Sequence, residues 1–265
     1  MKDVQNSEDT RGIAIDRVGV CAVRYPICVL DQNNERQHTV ATIDLSVDLP
    51  HQFKGTHMSR FIEILNRRHG EITMKNIPEM LAELKIRLDA ERSHIEITFP
   101  YFLNKAAPAT GKQAQIDYTC SFIAESGPSD TDFILKVEVP VTSLCPCSKE
   151  ISEYGAHNQR GYVTIEVRTK KNDSGEWDFV WIEEIIEIAE QSASAPLYAL
   201  LKREDEKFVT EQAYDNPVFV EDLVRNVALR LKEDERMTWY RVKAVNHESI
   251  HAHNAFAVVE GHING

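Results

Sequence analysis

Residues 143–161, SLCPCSKEISEYGAHNQRG, set two thiols around a proline and follow them with an imidazole. Thiolate and imidazole are the usual ligands of zinc-like metals, and a catalytic metal commonly keeps three protein ligands plus a water. Cys145, Cys147 and His157 are therefore candidate donors. The bland alternative makes Cys147 a small buried hydrophobe and His157 a turn residue. A disulfide between cysteines two apart, across a proline, would be strained. Five cysteines, an odd number, also fit reduced thiols in a cytoplasm.

A second group lies in ESIHAHNAF. Alternation predicts a strand here, which puts His251 and His253 on one face, where two imidazoles suit metal ligation or proton transfer. Acids crowd KREDEKFVTEQAYDNPVFVED. Most acids in such runs are solvated or complement a helix N-terminus, so pattern alone does not single out Glu206, Glu211 or Glu221. Arg60, Lys149, Arg160, Lys202 and Arg203 could jointly neutralise a phosphate, although each alone reads as a surface charge.

The elements that must position these residues follow from periodicity. VGVCAVRYPICVL and HTVATIDLSVDL alternate as strands. HMSRFIEILNRR predicts a helix with Met58, Phe61, Ile62 and Leu65 inward, and IPEMLAELKIRLDA another with Ile77, Leu81, Leu84 and Leu88. HIEITFPYF and QIDYTCSFIA are strands again, before SGPSD breaks the chain. The second half repeats the order. DFILKVEVPVT and GYVTIEVRT are strands, WIEEIIEIAEQ is a helix, and NPVFVEDLVRNVALRLKED is a helix opened by Asn216 and Pro217. TWYRVKAVNHE and SIHAHNAFAVVEG close as strands. The reading is α+β, ββααββ twice, with antiparallel sheets covered by helices on one face. It gives a polar leader at 1–16, one module at 17–126 and a second, carrying most candidate residues, at 127–265.

Composition narrows the function. With 42% hydrophobic and 27% charged residues the chain is globular, and no apolar run approaches the ~20 residues that span a bilayer. A net charge of −12 argues against broad nucleic-acid binding. Walker and dinucleotide-binding glycine motifs are missing, so a phosphate would be held by side chains or helix ends.

SLCPCSKEISEYGAHNQRG, LLKREDEKFVTEQAYDNPVFVED, ESIHAHNAF and GTHMSRF together resemble the type IB GTP cyclohydrolase I family over nearly the whole chain. The resemblance implies two tandem tunnelling-fold modules in a cytoplasmic homotetramer with sites at subunit interfaces. It implies conversion of GTP and water to 7,8-dihydroneopterin triphosphate and formate, the first step of tetrahydrofolate biosynthesis, with a divalent metal (Zn, Mn or Fe). GTP is the expected partner, with no nucleic acid and no membrane. Cys145 would be the metal-ligating, catalytic thiolate, His157 a ligand or a neighbour of one, and Glu206 the carboxylate ligand. Glu221, then Glu211, would grip the purine edge, and His251 and His253 would move protons. Two other readings stay open at this point: a nitrile reductase-like enzyme with a nucleophilic cysteine, and a non-catalytic purine- or pterin-binding module.

Overall fold

Period-two alternation decides which face of each long strand is buried. The computed structural model describes residues 5, 7–33, 35–67, 72–74, 76–173 and 175–263. The first residues of the expected leader, Arg68 at the end of the first expected helix, and Ser174 lie outside these. The chain runs β1 (Ile15–Leu30), β2 (Arg36–Leu49), α1 (Met58–Arg67), α2 (Ile77–Leu88), β3 (Ser93–Ala106) and β4 (Gln113–Ser126), which is ββααββ. It continues β5 (Thr131–Leu144), α3 (Pro146–Ile151), β6 (Asn158–Thr169), α4 (Ile182–Ser192), β7 (Ala195–Pro196), α5 (Arg203–Asp215), α6 (Val220–Glu233), β8 (Met237–His247) and β9 (Ala255–His262). Neighbouring strands pair in the order β1-β2-β3-β4-β5-β6-β8-β9, with β7 on β5.

Two compact units divide the chain, Met1–Pro100 with Ser121–Leu135, and Tyr101–Cys120 with Lys136–Gly265. In the first, Ala41, Ile43, Leu45, Val47 and Leu49 of β2 and Ile95, Ile97 and Phe99 of β3 form the buried rows. Ile77, Leu81, Leu84 and Leu88 of α2 are buried as the spacing predicts. On α1 the buried residues are Phe61, Ile64 and Leu65, while Met58 and Ile62 stay over a third exposed. The inward stripe of α1 thus keeps Phe61 and Leu65 of the expected set, loses Met58 and Ile62, and gains Ile64. The polar start also has partners, since the amides of Asp9, Lys54 and Gly55 donate to Gln52, Ser7 and Gln5.

In the second unit, Val137, Val139 and Val141 of β5, Val163, Ile165 and Val167 of β6, and Val242 and Ala244 of β8 face inward. Above them pack Ile182, Ile185, Ile186 and Ala189 of α4 and Val220, Leu223, Val224, Val227 and Leu231 of α6. Polar ties anchor α4 as well. Lys105 Nζ and Tyr118 Oη both donate to Glu190 Oε1, at 2.5 and 2.9 Å. Burial, with Glu190 alongside, pushes the Tyr118 phenol far up, so it remains a donor.

The acidic run hides one helix from the sequence, because α5 has a polar surface nearly all round. Its anchor is Asp205, fully buried. The Asp205 carboxylate accepts from the amides of Lys202 (2.9 Å), Ala109 (2.9 Å) and Thr110 (2.8 Å), and from the Thr110 hydroxyl (2.8 Å). This ties the start of α5 to the β3–β4 turn, where Gly111 takes the left-handed conformation. Burial alone would raise the Asp205 carboxyl. The Lys202 and Thr110 amides, the Thr110 hydroxyl and the Ala109 amide outweigh it and hold it at about 2. A depressed carboxyl adds stability above its ordinary pKa, and that stability is lost as the pH falls through the folded value. Asp205→Asn should therefore lower the melting temperature by several degrees at neutral pH. The gap from the parent chain should shrink between about pH 4 and pH 2. Thermal melts across that range check this, and a gap independent of pH would mean that the carboxylate charge is not the source.

Candidate active site

Three inward rows change from aliphatic to polar at one end of the sheet. On β5 the row Val137, Val139, Val141 continues to buried Ser143 and reaches Cys145. On β6 Val167, Ile165 and Val163 lead back to Gly161 and buried Gln159. On β8 Val242 and Ala244 lead to Asn246, only 2% exposed. Gly161 faces Asn246 in the β6–β8 register. The alternation that builds the core thus delivers polar side chains to a single place.

Ser143 joins these rows to α6. Its Oγ donates to Val218 O at 2.9 Å and accepts from Asn246 Nδ2 at 3.1 Å. The Val218 amide donates to Leu144 O. These bonds hold residues 217–219 extended, so α6 begins at Val220 with Phe219 as its cap rather than at Asn216 and Pro217. Asn216 instead ends α5 and donates to Ala193 O at 2.8 Å.

Local hydrogen bonds bring the thiol and the imidazole together. Cys145 caps the short α3, its Sγ accepting from the Ser148 amide at 3.4 Å. The Cys145 amide donates to His157 O, the His157 amide to Ser148 Oγ, and Ser148 Oγ to Cys145 O. The excursion between the two residues is pinned at its base. That is what the spacing of the motif accomplishes.

Cys145, His157, Glu221, His251 and His253 line one cleft of about 260 Å³, with Gln159, Phe219, Asn246 and Glu248. The rings of His251 and His253 stack at 5.2 Å between centroids, and His251 meets His157 edge-on at 6.4 Å. The strand expected through these histidines is not there. Residues 249–253 bend, β9 starts only at Ala255, and His251 and His253 are exposed. They share the cleft because the bend folds them beside His157. Sequence reasoning missed Gln159, Phe219, Asn246 and Glu248. For Gln159 and Asn246 the available signal was a polar residue in an otherwise aliphatic inward row, and Phe219 and Glu248 carried none.

Other candidates lie elsewhere. Cys147 is exposed and outside the lining. Glu206 is exposed in the first turn of α5, and Glu211, 64% exposed, pairs with Lys207 along the same helix. The C-terminal end of α5 is what meets α3, through Lys149, whose ammonium donates to Tyr214 O and lies 4.3 Å from the Tyr214 ring. Glu206 is roughly 12 Å further back along the helix axis. Lys202 caps α5, Arg203 is its first residue, and exposed Arg160 faces His247 across β6 and β8. Arg60, on α1 in the first unit, donates to Arg87 O at 2.7 Å. A larger cleft of about 470 Å³ in the first unit, walled by Arg17, Arg92 and His94, contains no residue that the sequence singled out.

Among the described residues, no three His, Cys, Asp or Glu side chains gather as a metal-binding group. Two donors in the cleft nevertheless suit a metal. His157 Nδ1 lies 3.0 Å from Gln159 Oε1, a contact that would occupy Nδ1 and leave Nε2 for a metal. The Cys145 thiol, half-exposed at the cleft wall, supplies a soft second donor.

The family model described as type I GTP cyclohydrolase folE2 matches residues 1–257. GTP cyclohydrolase FolE2 of Syntrophotalea carbinolica is 57% identical over 260 residues, spanning 98% of this chain and 95% of that protein. GTP cyclohydrolase FolE2 of Fervidobacterium nodosum is 57% identical over 97% of this chain and 96% of its own. Among solved structures, uricase from Arthrobacter globiformis superposes with a TM-score of 0.54 at 9% identity, over 94% of this chain and 93% of that one. That likeness shows a shared tunnelling fold. Cys145→Ala should strip the purified protein of most bound divalent metal, whereas Cys147→Ala should leave the content near the parent level. Elemental analysis of both variants decides, and full occupancy without the Cys145 thiol would remove it from the ligand set.

Proposed function

The chain belongs to the type I GTP cyclohydrolase folE2 family, and on that premise we propose that the cleft around Cys145 is where it converts GTP and water to 7,8-dihydroneopterin triphosphate and formate. The finer family name, type IB, belongs to the same proposal, as does a cytoplasmic setting. Among the described residues, no helix is long and apolar enough to cross a membrane. One observation carries the reading. Thiol, imidazole and carboxylate residues distant in sequence converge on a single cleft, in a chain more than half identical to proteins named for this activity.

The chemistry requires water to add at C8 of the purine and two C–N bonds to break before formate leaves. A divalent metal held by Cys145 and His157 would lower the pKa of a water from 15.7 toward ~7; Glu206, exposed on α5 outside the lining, would join it as the carboxylate ligand from a neighbouring subunit. The Gln159 contact at Nδ1 would orient the His157 ring and leave Nε2 as its metal donor. His251 and His253 hold and pass protons to the departing ring nitrogen and in the later ring-closing steps, a task suited to imidazole near neutral pH. Phe219, 38% exposed in the cleft wall, offers a flat apolar face to a purine.

Recognition of the base falls to Glu221, in the first turn of α6. Guanine presents N1–H and an N2–H side by side, and an ionised carboxylate accepts both. Glu211 is the second candidate. No Lys or Arg is found among the described lining residues, yet a triphosphate carries several negative charges. The proposed counter-charges are Arg60, Lys149, Arg160, Lys202 and Arg203, reaching the phosphates across the subunit interfaces of a homotetramer.

Incubation of metal-replete protein with GTP should release formate and, after oxidation, a fluorescent pterin. His251→Ala and His253→Ala should each slow release by ~10²–10⁴-fold. Near-full rates in both variants would assign the histidines a structural role. Glu221→Gln should weaken GTP affinity by about 10- to 100-fold, the worth of a charge-assisted contact, with the melting temperature nearly unchanged. Calorimetric titration reads this, and normal GTP binding would move the anchor to Glu211.

A further inference from the structure

Asn246 carries the least explained polar atom in the cleft. The residue is 2% exposed, and its Oδ1 is buried without a hydrogen-bond partner among the described residues. Its orientation follows from proton counting. Ser143 has one hydroxyl proton, which goes to Val218 O, so toward Asn246 it can only accept. Asn246 must therefore turn its amide NH₂ to Ser143 and its carbonyl oxygen the other way. A buried carbonyl left unpaired costs about 1–3 kcal/mol, and a native fold keeps few of them.

The opposite strand approaches this oxygen without a side chain. Gly161 faces Asn246, and a Cβ at Gly161 would stand 2.8 Å from Asn246 Oδ1 and 3.2 Å from Val141 Cγ2. Only glycine keeps that approach open. Asn246 itself lines the cleft together with Glu221.

We infer that Asn246 Oδ1 is a specificity-determining acceptor for the exocyclic amine of the bound purine. The inference rests on the reading of Glu221 given above. A guanine edge offers three N–H hydrogens, one on N1 and two on N2. A carboxylate accepting in bidentate fashion takes N1–H and the nearer N2–H, which leaves the second N2–H without a partner. In a closed site an unpaired donor facing an unpaired acceptor penalises both, and their meeting relieves both. Ser143, itself fixed by Val218, sets the amide so that only an acceptor faces the base. A purine carrying an amine at C2 is then favoured over one that lacks it.

The test compares GTP with ITP, which keeps N1–H and lacks the amine. Both are titrated by calorimetry into the full chain under chelation, so that binding is read without turnover. The parent should prefer GTP. Asn246→Leu, similar in shape and apolar, should weaken GTP by about tenfold, one hydrogen bond's worth, and leave ITP within about twofold. Its melting temperature is read alongside, because the variant loses the bond to Ser143 Oγ together with the orphaned oxygen. Gly161→Ala sets a methyl 2.8 Å from Oδ1, closer than a Cβ can sit, and so pushes the Asn246 oxygen off its position. It should show the same selective loss, and it decides the matter if the leucine variant does not fold. Equal weakening of GTP and ITP, or an unchanged preference in the variants, overturns the assignment and makes the Glu248 carboxylate the acceptor to test. A parent chain that binds neither nucleotide overturns the guanine reading itself, and this inference with it.

Discussion

A hydroxyl has one proton to give, and at Ser143 that restriction organises the second unit. The proton goes to Val218 O, so the lone pairs must receive Asn246 Nδ2. One side chain thereby fixes the end of β5, the end of β8 and the approach to α6. Because residues 217–219 are held extended, α6 starts at Val220 and Glu221 arrives in its first turn at the cleft. Directly after Ser143 and Leu144 comes Cys145, which caps α3 and receives the amide of Ser148. Without this junction the thiol, the acid and the β8 turn would have no common reference.

Acids in the second unit divide by what surrounds them rather than by their type. Asp205 is enclosed by three amides and a hydroxyl, and serves the fold. Glu190 is enclosed by Lys105 and Tyr118 and ties α4 to the strands. Glu221 and Glu248 stand in the cleft with polar atoms to spare, while Glu206 and Glu211 face outward from α5. Four dipole donors can hold a buried carboxylate ionised as well as a salt bridge can. An acid so held is fully committed and cannot also bind a ligand. Asp205 and Glu206 are adjacent, and helical geometry turns them in different directions.

Relatives and structural neighbours constrain different things. Identity above 50% over nearly the full chain carries the family and its reaction. A TM-score of 0.54 at 9% identity carries only the arrangement of strands and helices. Such folds tolerate divergence because their requirement is an alternation of apolar and polar residues, which many sequences satisfy. The cleft is where that freedom stops. Gly161 shows the limit, since any side chain there would strike Asn246 Oδ1.

Much of the architecture was legible in the sequence, because burial on one face of a strand or helix writes its period directly into residue order. The ββααββ order of the first half, the α4 and α6 stripes, and the joining of Cys145 with His157 all came from such local patterns. The chemistry-bearing types were legible too, since few structural needs call for thiols and imidazoles so close together. Tertiary contacts decided the rest. They made α5 a helix, because a single buried Asp205, indistinguishable from its acidic neighbours by type, supplies its anchor. They folded His251 and His253 through a bend rather than along a strand, and moved the start of α6 past Pro217. Above all they gave Asn246 its role. Whether an amide in a strand is solvated, paired or left with one open valence depends on which residues from other strands surround it, and those lie about a hundred residues away at Ser143 and eighty-five at Gly161.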